Sequence, residues 1–216
     1  YKQRKARILN GAHTSMVLGA YLAGQDIVRD CMKDDVIRGY MNQAIYKEII
    51  PTLTLPEEEL MSFAASVTDR FQNPFIDHAL LSISLNSTAK WKARVLPSLE
   101  GYLEKTGQVP PCLSASLAFY LAFYKGIGFV DATFTGDRNV KNQYPISDDP
   151  KVLEFYDAHK DDSAADYVHA VLSETSFWGK DLTTLAGLEE TVVKDFTFIQ
   201  EKGCYELMKQ IVNAAE

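Results

Sequence analysis

The segment Leu113-Ser-Ala-Ser-Leu-Ala-Phe-Tyr-Leu-Ala-Phe-Tyr124 carries apolar side chains around nearly its whole circumference when wound as a helix. A helix with no polar stripe cannot lie on a surface, so the rest of the chain must be arranged around it. Its aromatic residues read as core rather than as a cofactor box. The flanking segments supply suitable neighbours, because their apolar residues recur at helical spacing. Residues 3–24 read as one long helix. Gly24-Gln-Asp26 resembles a stop followed by an N-cap, opening a short helix through Ile27, Val28 and Met32. Another helix is expected from Asp34-Asp35 to Pro51. Leu55-Pro-Glu-Glu-Glu59 opens a helix that Asn73-Pro74 ends, with acids at its positive pole. A further helix is expected over Phe75–Leu85, followed by one carrying Lys90 to Arg94. After Pro145, helices are expected from Asp149, from the capping-box-like Ser163-Ala-Ala-Asp166, and over 185–215 with an interruption near Gly203. The expected fold class is all-α and multi-helical. One exception is foreseen near 126–145, where Phe129-Val-Asp-Ala-Thr-Phe134 has strand propensity and Thr135-Gly-Asp-Arg138 is turn-like, giving a small hairpin excursion.

Bulk properties narrow the functional classes. A chain of 216 residues suits one domain with a full-sized core. A net charge of −7 argues against nucleic acid or an anionic membrane as the main partner, and no apolar run approaches a membrane span. Cys31, Cys112 and Cys204 are distant and odd in number; they read as buried thiols of a reducing, cytoplasmic compartment. No His/Cys/acid cluster has zinc-ligand spacing, so no metal is expected, and His159 and His169 lack a ligand-spaced partner. No strand is followed by Gly-x-Gly-x-x-Gly and a helix. The chain also starts without methionine inside a charged helical stretch, which suggests a piece of a longer protein.

Chemistry concentrates near the amino terminus. Lys5, Asn10 and His13 fall within an arc of roughly 140° at about 100° per residue, with His13 between the other two. An amine, a carboxamide and an imidazole on one face form a usable set for moving a proton on and off an alcohol oxygen. Against this, Lys5 lies in a basic run with Lys2, Arg4 and Arg7, and Asn10-Gly11 is a common turn dipeptide that could break the helix. Lys90 and Arg94, four apart, share a face and could grip a carboxylate, although a solvated basic edge is the plainer reading. Asp77 and His78 are adjacent, point to different sectors, and read as surface residues.

Lys5-Ala-Arg-Ile-Leu-Asn-Gly-Ala-His-Thr14 resembles the signature that opens the C-terminal helical domain of the long-chain mannitol dehydrogenase family. The likeness continues through Ala44-Ile-Tyr-Lys-Glu-Ile-Ile-Pro51, Arg70-Phe-Gln-Asn-Pro74, Leu81-Ser-Ile-Ser-Leu-Asn86, Lys90-Trp-Lys-Ala-Arg-Val-Leu-Pro97 and Trp178-Gly-Lys-Asp-Leu182. It is weakest over 126–145. The resemblance implies that residues 1–216 form a helical substrate-binding and catalytic domain, with NAD bound mainly by an N-terminal Rossmann domain outside this chain. It implies a sugar-acid substrate, Lys5 as acid/base catalyst, Asn10 as donor to the substrate oxygen, and His13 as an orienting group. It also places a basic substrate-pocket residue near Lys90, from which Arg94 is an extrapolation. A lysine at its reference pKa of about 10.4 is a poor base at neutral pH. Burial and the neighbouring Arg4 and Arg7 would favour its neutral form. A neutral polyol or ketose as substrate, and a helical dimerisation or binding module without catalysis, remain alternatives.

Overall fold

A computed structural model describes residues 2–73, 77–139 and 142–216. The chain is largely helical with one small sheet. Helix α1 comprises a turn at Lys2–Arg4, a π-helical segment at Lys5–Asn10 and an α-helical segment at Gly11–Leu22, without a break at Asn10-Gly11. Then come α2 (Val28–Lys33) and α3 (Asp35–Gln43), which runs into a second π segment at Ala44–Ile49. The series continues with α4 (Glu57–Phe71), α5 (Leu80–Ile83), α6 (Ser87–Arg94), α7 (Leu96–Thr106) and α8 (Pro111–Tyr124). After the sheet follow α9 (Pro150–Ala158), α10 (Ala164–Leu172), α11 (Thr175–Trp178), α12 (Leu188–Lys202) and α13 (Cys204–Ala214). Phe75 and Ile76, expected to begin a helix, lie outside the described residues. The helix found nearby is only α5.

The apolar segment is α8, and twelve of its fourteen residues are buried. It packs mainly against α12 and α1. Each fully buried Leu or Phe there contributes at most about 1.5–3 kcal/mol. The α1–α8 crossing is close because Gly19 has no side chain: a Cβ there would stand 2.6 Å from the Phe119 ring. The first turn of α8 is sealed by Glu48. Its buried carboxylate accepts from the Cys112 N–H at 2.9 and 3.0 Å and from the Leu113 N–H at 2.9 Å. Negative charge on these otherwise orphaned donors complements the helix dipole.

Several sequence expectations hold locally. Asp34 caps α3 by accepting from Val36 and Ile37 N–H, Asp149 caps α9, and Ser163 caps α10. Gly203, at φ 91°, separates α12 from α13. Asp26 is not a cap; the residue before α2 is Ile27, and Asp26 pairs with Arg138 at 2.7 Å. The three cysteines are buried free thiols.

The excursion is a three-stranded antiparallel sheet rather than a lone hairpin, with β1 (Gly128–Val130), β2 (Thr133–Asp137) and β3 (Gln143–Pro145) in that order. Its first turn is also placed differently from the expectation. Phe129 pairs with Phe134, so the chain reverses at Asp131-Ala132, where φ is 48° and 67°, and β2 runs through Thr135-Gly-Asp137. The sheet is fastened to the helices by Arg138. Its guanidinium donates to the Tyr21 carbonyl at 2.6 Å and the Gln25 carbonyl at 2.6 Å, besides pairing with Asp26, and lies over the Tyr21 ring. The segment after α1 is thus fixed, and it in turn holds the chain before α5. An antiparallel bridge joins Ile27 to Ala79, the Val28 N–H donates to the His78 carbonyl, and the Leu80 N–H donates to the Asp26 carbonyl, both at 2.9 Å.

Candidate active site

The residues singled out in the sequence occupy one end of α1. In a π turn the hydrogen bonds run from i to i+5, and the Gly11 N–H donates to the Ala6 carbonyl in this way. That register brings residues five apart into line, so Lys5 and Asn10 stand closer in angle than an α-helix would put them. Lys5 is exposed, while Asn10 and His13 are half-buried. The two neighbouring arginines are engaged with other side chains. Arg7 turns inward, donating to Ser98 Oγ at 2.6 Å and Thr52 Oγ1 at 2.7 Å, and Arg4 pairs with Glu59 at 3.5 Å. The described residues of this chain therefore do not supply Lys5 with the burial expected from sequence.

The second candidate pair is brought to the same region by a glycine. A Cβ on Gly11 would lie 3.0 Å from the Arg94 carbonyl oxygen, so the C-terminal end of α6 crosses α1 beside Asn10. Lys90 and Arg94 are half-buried there. Burial lowers both below their usual values, and Arg94 lowers Lys90 further. Lys90 Nζ donates to the Ile83 carbonyl at 2.8 Å. The carboxylate whose field opposes these effects at Lys90 is Asp148, which itself accepts from Thr88 Oγ1 at 2.9 Å and the Tyr124 hydroxyl at 2.6 Å. Among the described residues, Arg94 makes no ion pair.

His13 sits between these groups and a small cavity. Its ring stacks on Phe71 at a centroid distance of 4.1 Å, and His78 meets it edge-on at 6.0 Å. Burial first, then the fields of His78, Arg94 and Lys90, lower its pKa to about 4. At neutral pH His13 is thus an uncharged imidazole that can donate from one nitrogen and accept at the other. The cavity, of about 170 Å³, is lined by Leu9, His13, Val28, Arg70, Phe71 and His78.

The structure thus gathers His13, Lys90 and Arg94, and sets Lys5 and Asn10 on the adjoining π turn. Asp77 and His78 are exposed, as the sequence suggested, but the structure adds His78 and Phe71 as neighbours of His13. Asp77 and His78 do diverge: Asp77 pairs with Arg29 at 2.7 Å, whereas His78, although exposed, turns its ring to His13. Phe71 was hidden because an apolar residue at the end of a helix reads as core. Among the described residues, no three His, Cys, Asp or Glu side chains gather as a metal site, and no helix is long and apolar enough to cross a membrane.

Comparison with known proteins shows the family to which the chain belongs. Altronate oxidoreductase of Klebsiella pneumoniae (strain 342) is 43% identical over 98% of the chain. The altronate oxidoreductase of Yersinia enterocolitica is 42% identical over 94% of it. The chain spans only 43% and 41% of those two relatives. A solved ternary complex of Pseudomonas fluorescens mannitol 2-dehydrogenase with NAD and D-mannitol superposes with a TM-score of 0.84, at 20% identity, covering 99% of this chain and 41% of that one. The family model described as the mannitol dehydrogenase C-terminal domain matches residues 1–200. This chain therefore belongs to the mannitol dehydrogenase C-terminal domain family, as an oxidoreductase-family domain of mostly helical fold.

Proposed function

We propose that this chain is the substrate-binding and catalytic half of an NAD-dependent oxidoreductase that interconverts D-tagaturonate and D-altronate. The observation that carries the reading is the juxtaposition of the Lys5–Asn10 π turn with two half-buried cations, Lys90 and Arg94, at the Gly11 crossing. A π turn is an uncommon element that recurs at functional sites. Two partly desolvated cations, with the carboxylate that acts on Lys90 already engaged by Thr88 and Tyr124, favour an anionic substrate over a neutral polyol. The relatives named above act on altronate by name, and the P. fluorescens enzyme holds NAD and D-mannitol.

The described residues include no parallel sheet and no glycine-rich strand–helix turn to cradle a dinucleotide. The coenzyme is accordingly assigned to the part of the protein outside this chain, where its nicotinamide, when bound, supplies the hydride exchange. What this chain contributes is the proton and the orientation. In reduction, the Lys5 ammonium gives a proton to the substrate oxygen and is left as a neutral amine. In oxidation, the neutral amine takes that proton from the hydroxyl. The Asn10 amide donates to the same oxygen, where negative charge grows in the transition state. Neutral His13 hydrogen-bonds an adjacent hydroxyl without adding charge, and Lys90 with Arg94 faces the carboxylate. Burial of the exposed Lys5 is expected to come from the companion domain closing over the π turn. A reducing cytoplasm is the expected location, consistent with three buried free thiols.

The test uses the full-length protein with NADH and a substrate panel of D-tagaturonate, D-fructuronate and D-fructose. Lys5→Ala is expected to reduce turnover by about 10²–10⁴-fold, the usual contribution of general acid–base catalysis. Near-normal turnover in that variant would rule out the lysine. A preference for fructose would point to the neutral-ketose reading, and a preference for fructuronate to a sister sugar-acid reductase.

A further inference from the structure

Outside the groups just used, the polar side chain best placed to reach a substrate is His78. Its backbone is held by the Ile27–Ala79 bridge and by the Val28 N–H on its carbonyl, so it does not sit on a loose loop. Its ring stands edge-on to His13 at 6.0 Å, lines the 170 Å³ cavity, and is accessible. Among the described residues, its ring nitrogens make no hydrogen bond or ion pair. The cavity has room for about six water volumes of ~30 Å³ each, which suits the end of a sugar chain rather than a whole coenzyme. At 1.5 Å per residue His13 lies roughly 4.5 Å along α1 from Asn10, and its ring centroid is 6.0 Å from that of His78. Leu9, Val28 and Phe71 line most of the remainder, so an oxygen entering there has His13, Arg70 and His78 to bond.

We propose that His78 is a specificity-determining residue that hydrogen-bonds the carboxylate at the end of the substrate remote from the reacting carbonyl, sharing it with the cations around His13. The assignment rests on the sugar-acid reading above and adds a recognition element on a different segment from Lys90 and Arg94. It is tested in the full-length enzyme by comparing D-tagaturonate with the uncharged ketose D-fructose. His78→Phe keeps a flat ring against His13 and removes the hydrogen bond; His78→Asn keeps a donor. His78→Phe is expected to raise KM for tagaturonate 10–100-fold, the loss appropriate to a hydrogen bond to a charged group, with kcat within threefold and fructose kinetics unchanged. His78→Asn is expected to recover most of the loss. Equal effects on both substrates, or none on tagaturonate, overturn the role of His78 while leaving the sugar-acid reading intact. A wild-type enzyme that prefers fructose overturns both.

Discussion

His13 lies flat against Phe71, with ring centroids 4.1 Å apart and planes 18° from parallel. This contact removes one face of the imidazole from water, and besides that burial the fields of His78, Arg94 and Lys90 disfavour its charged form. The result is a pKa near 4 against 6.5 for the free group. Between those values the unfolded chain binds a proton that the folded chain refuses. Stability therefore falls as pH drops from 6.5 to 4 and levels off below, by an amount on the order of 3 kcal/mol from this group alone. A titration of the ring protons by NMR should show a midpoint near pH 4 for His13. A midpoint above 6 would mean that the ring is hydrated and the cationic cluster looser than described.

Lysine, asparagine and histidine at positions 5, 10 and 13 stood out in the sequence as groups one helix face could present together, although a solvated basic run and a turn dipeptide were the plainer local readings. Their true register was not legible there. Nothing in Lys-Ala-Arg-Ile-Leu-Asn marks a switch to i→i+5 hydrogen bonding; the segment packs against α4, α6 and the second π segment, contacts that local sequence does not reveal. The same limit hid His78, whose direction is set by a bridge to Ile27, about fifty residues earlier. The reversal at Asp131-Ala132 was misplaced for a related reason. Local propensity favours turning at Gly136-Asp137, but a Cβ at Gly136 would run into the Tyr144 ring, so that glycine is used for close strand packing instead. The helices were easier, since their apolar period and their Asp34, Asp149 and Ser163 caps are local properties.

Glu48 offers a test of how the central helix is held. Burial raises its carboxyl above the usual range, while the Cys112 and Leu113 N–H bonds oppose that shift. Both carboxylate oxygens accept from Cys112, so in Glu48→Gln the new amide nitrogen would face a donor with a donor. The expected cost is about 1–3 kcal/mol, the penalty of a buried unsatisfied group. Urea unfolding of the two proteins at pH 7 measures it through the midpoint at unchanged slope. An unaltered midpoint would mean that α8 does not need this carboxylate at its first turn.

Asp195 acts with the opposite sign to His13. It lies on α12 beside the core residue Phe196, and burial lifts its carboxyl from 3.8 to about 7, with Lys194 opposing the shift. Across that window the folded chain keeps a proton that the unfolded chain releases. Asp195 thus favours the fold fully below pH 3.8, and its contribution is lost as pH rises through 7. From pH 4 to 6.5 the slopes from Asp195 and His13 oppose each other, so this pair contributes a nearly flat profile in the native sequence. Asp195→Asn removes one of the two. The variant should match the parent near pH 4, unfold at higher denaturant at pH 8 by roughly 2–4 kcal/mol, taken from about 1.36 kcal/mol per pKa unit, and expose the His13 slope as a rise in stability between pH 4 and 6.5. Parent and variant curves that run parallel from pH 4 to 8 would show that the Asp195 carboxyl is solvated and titrates alike in the folded and unfolded chain.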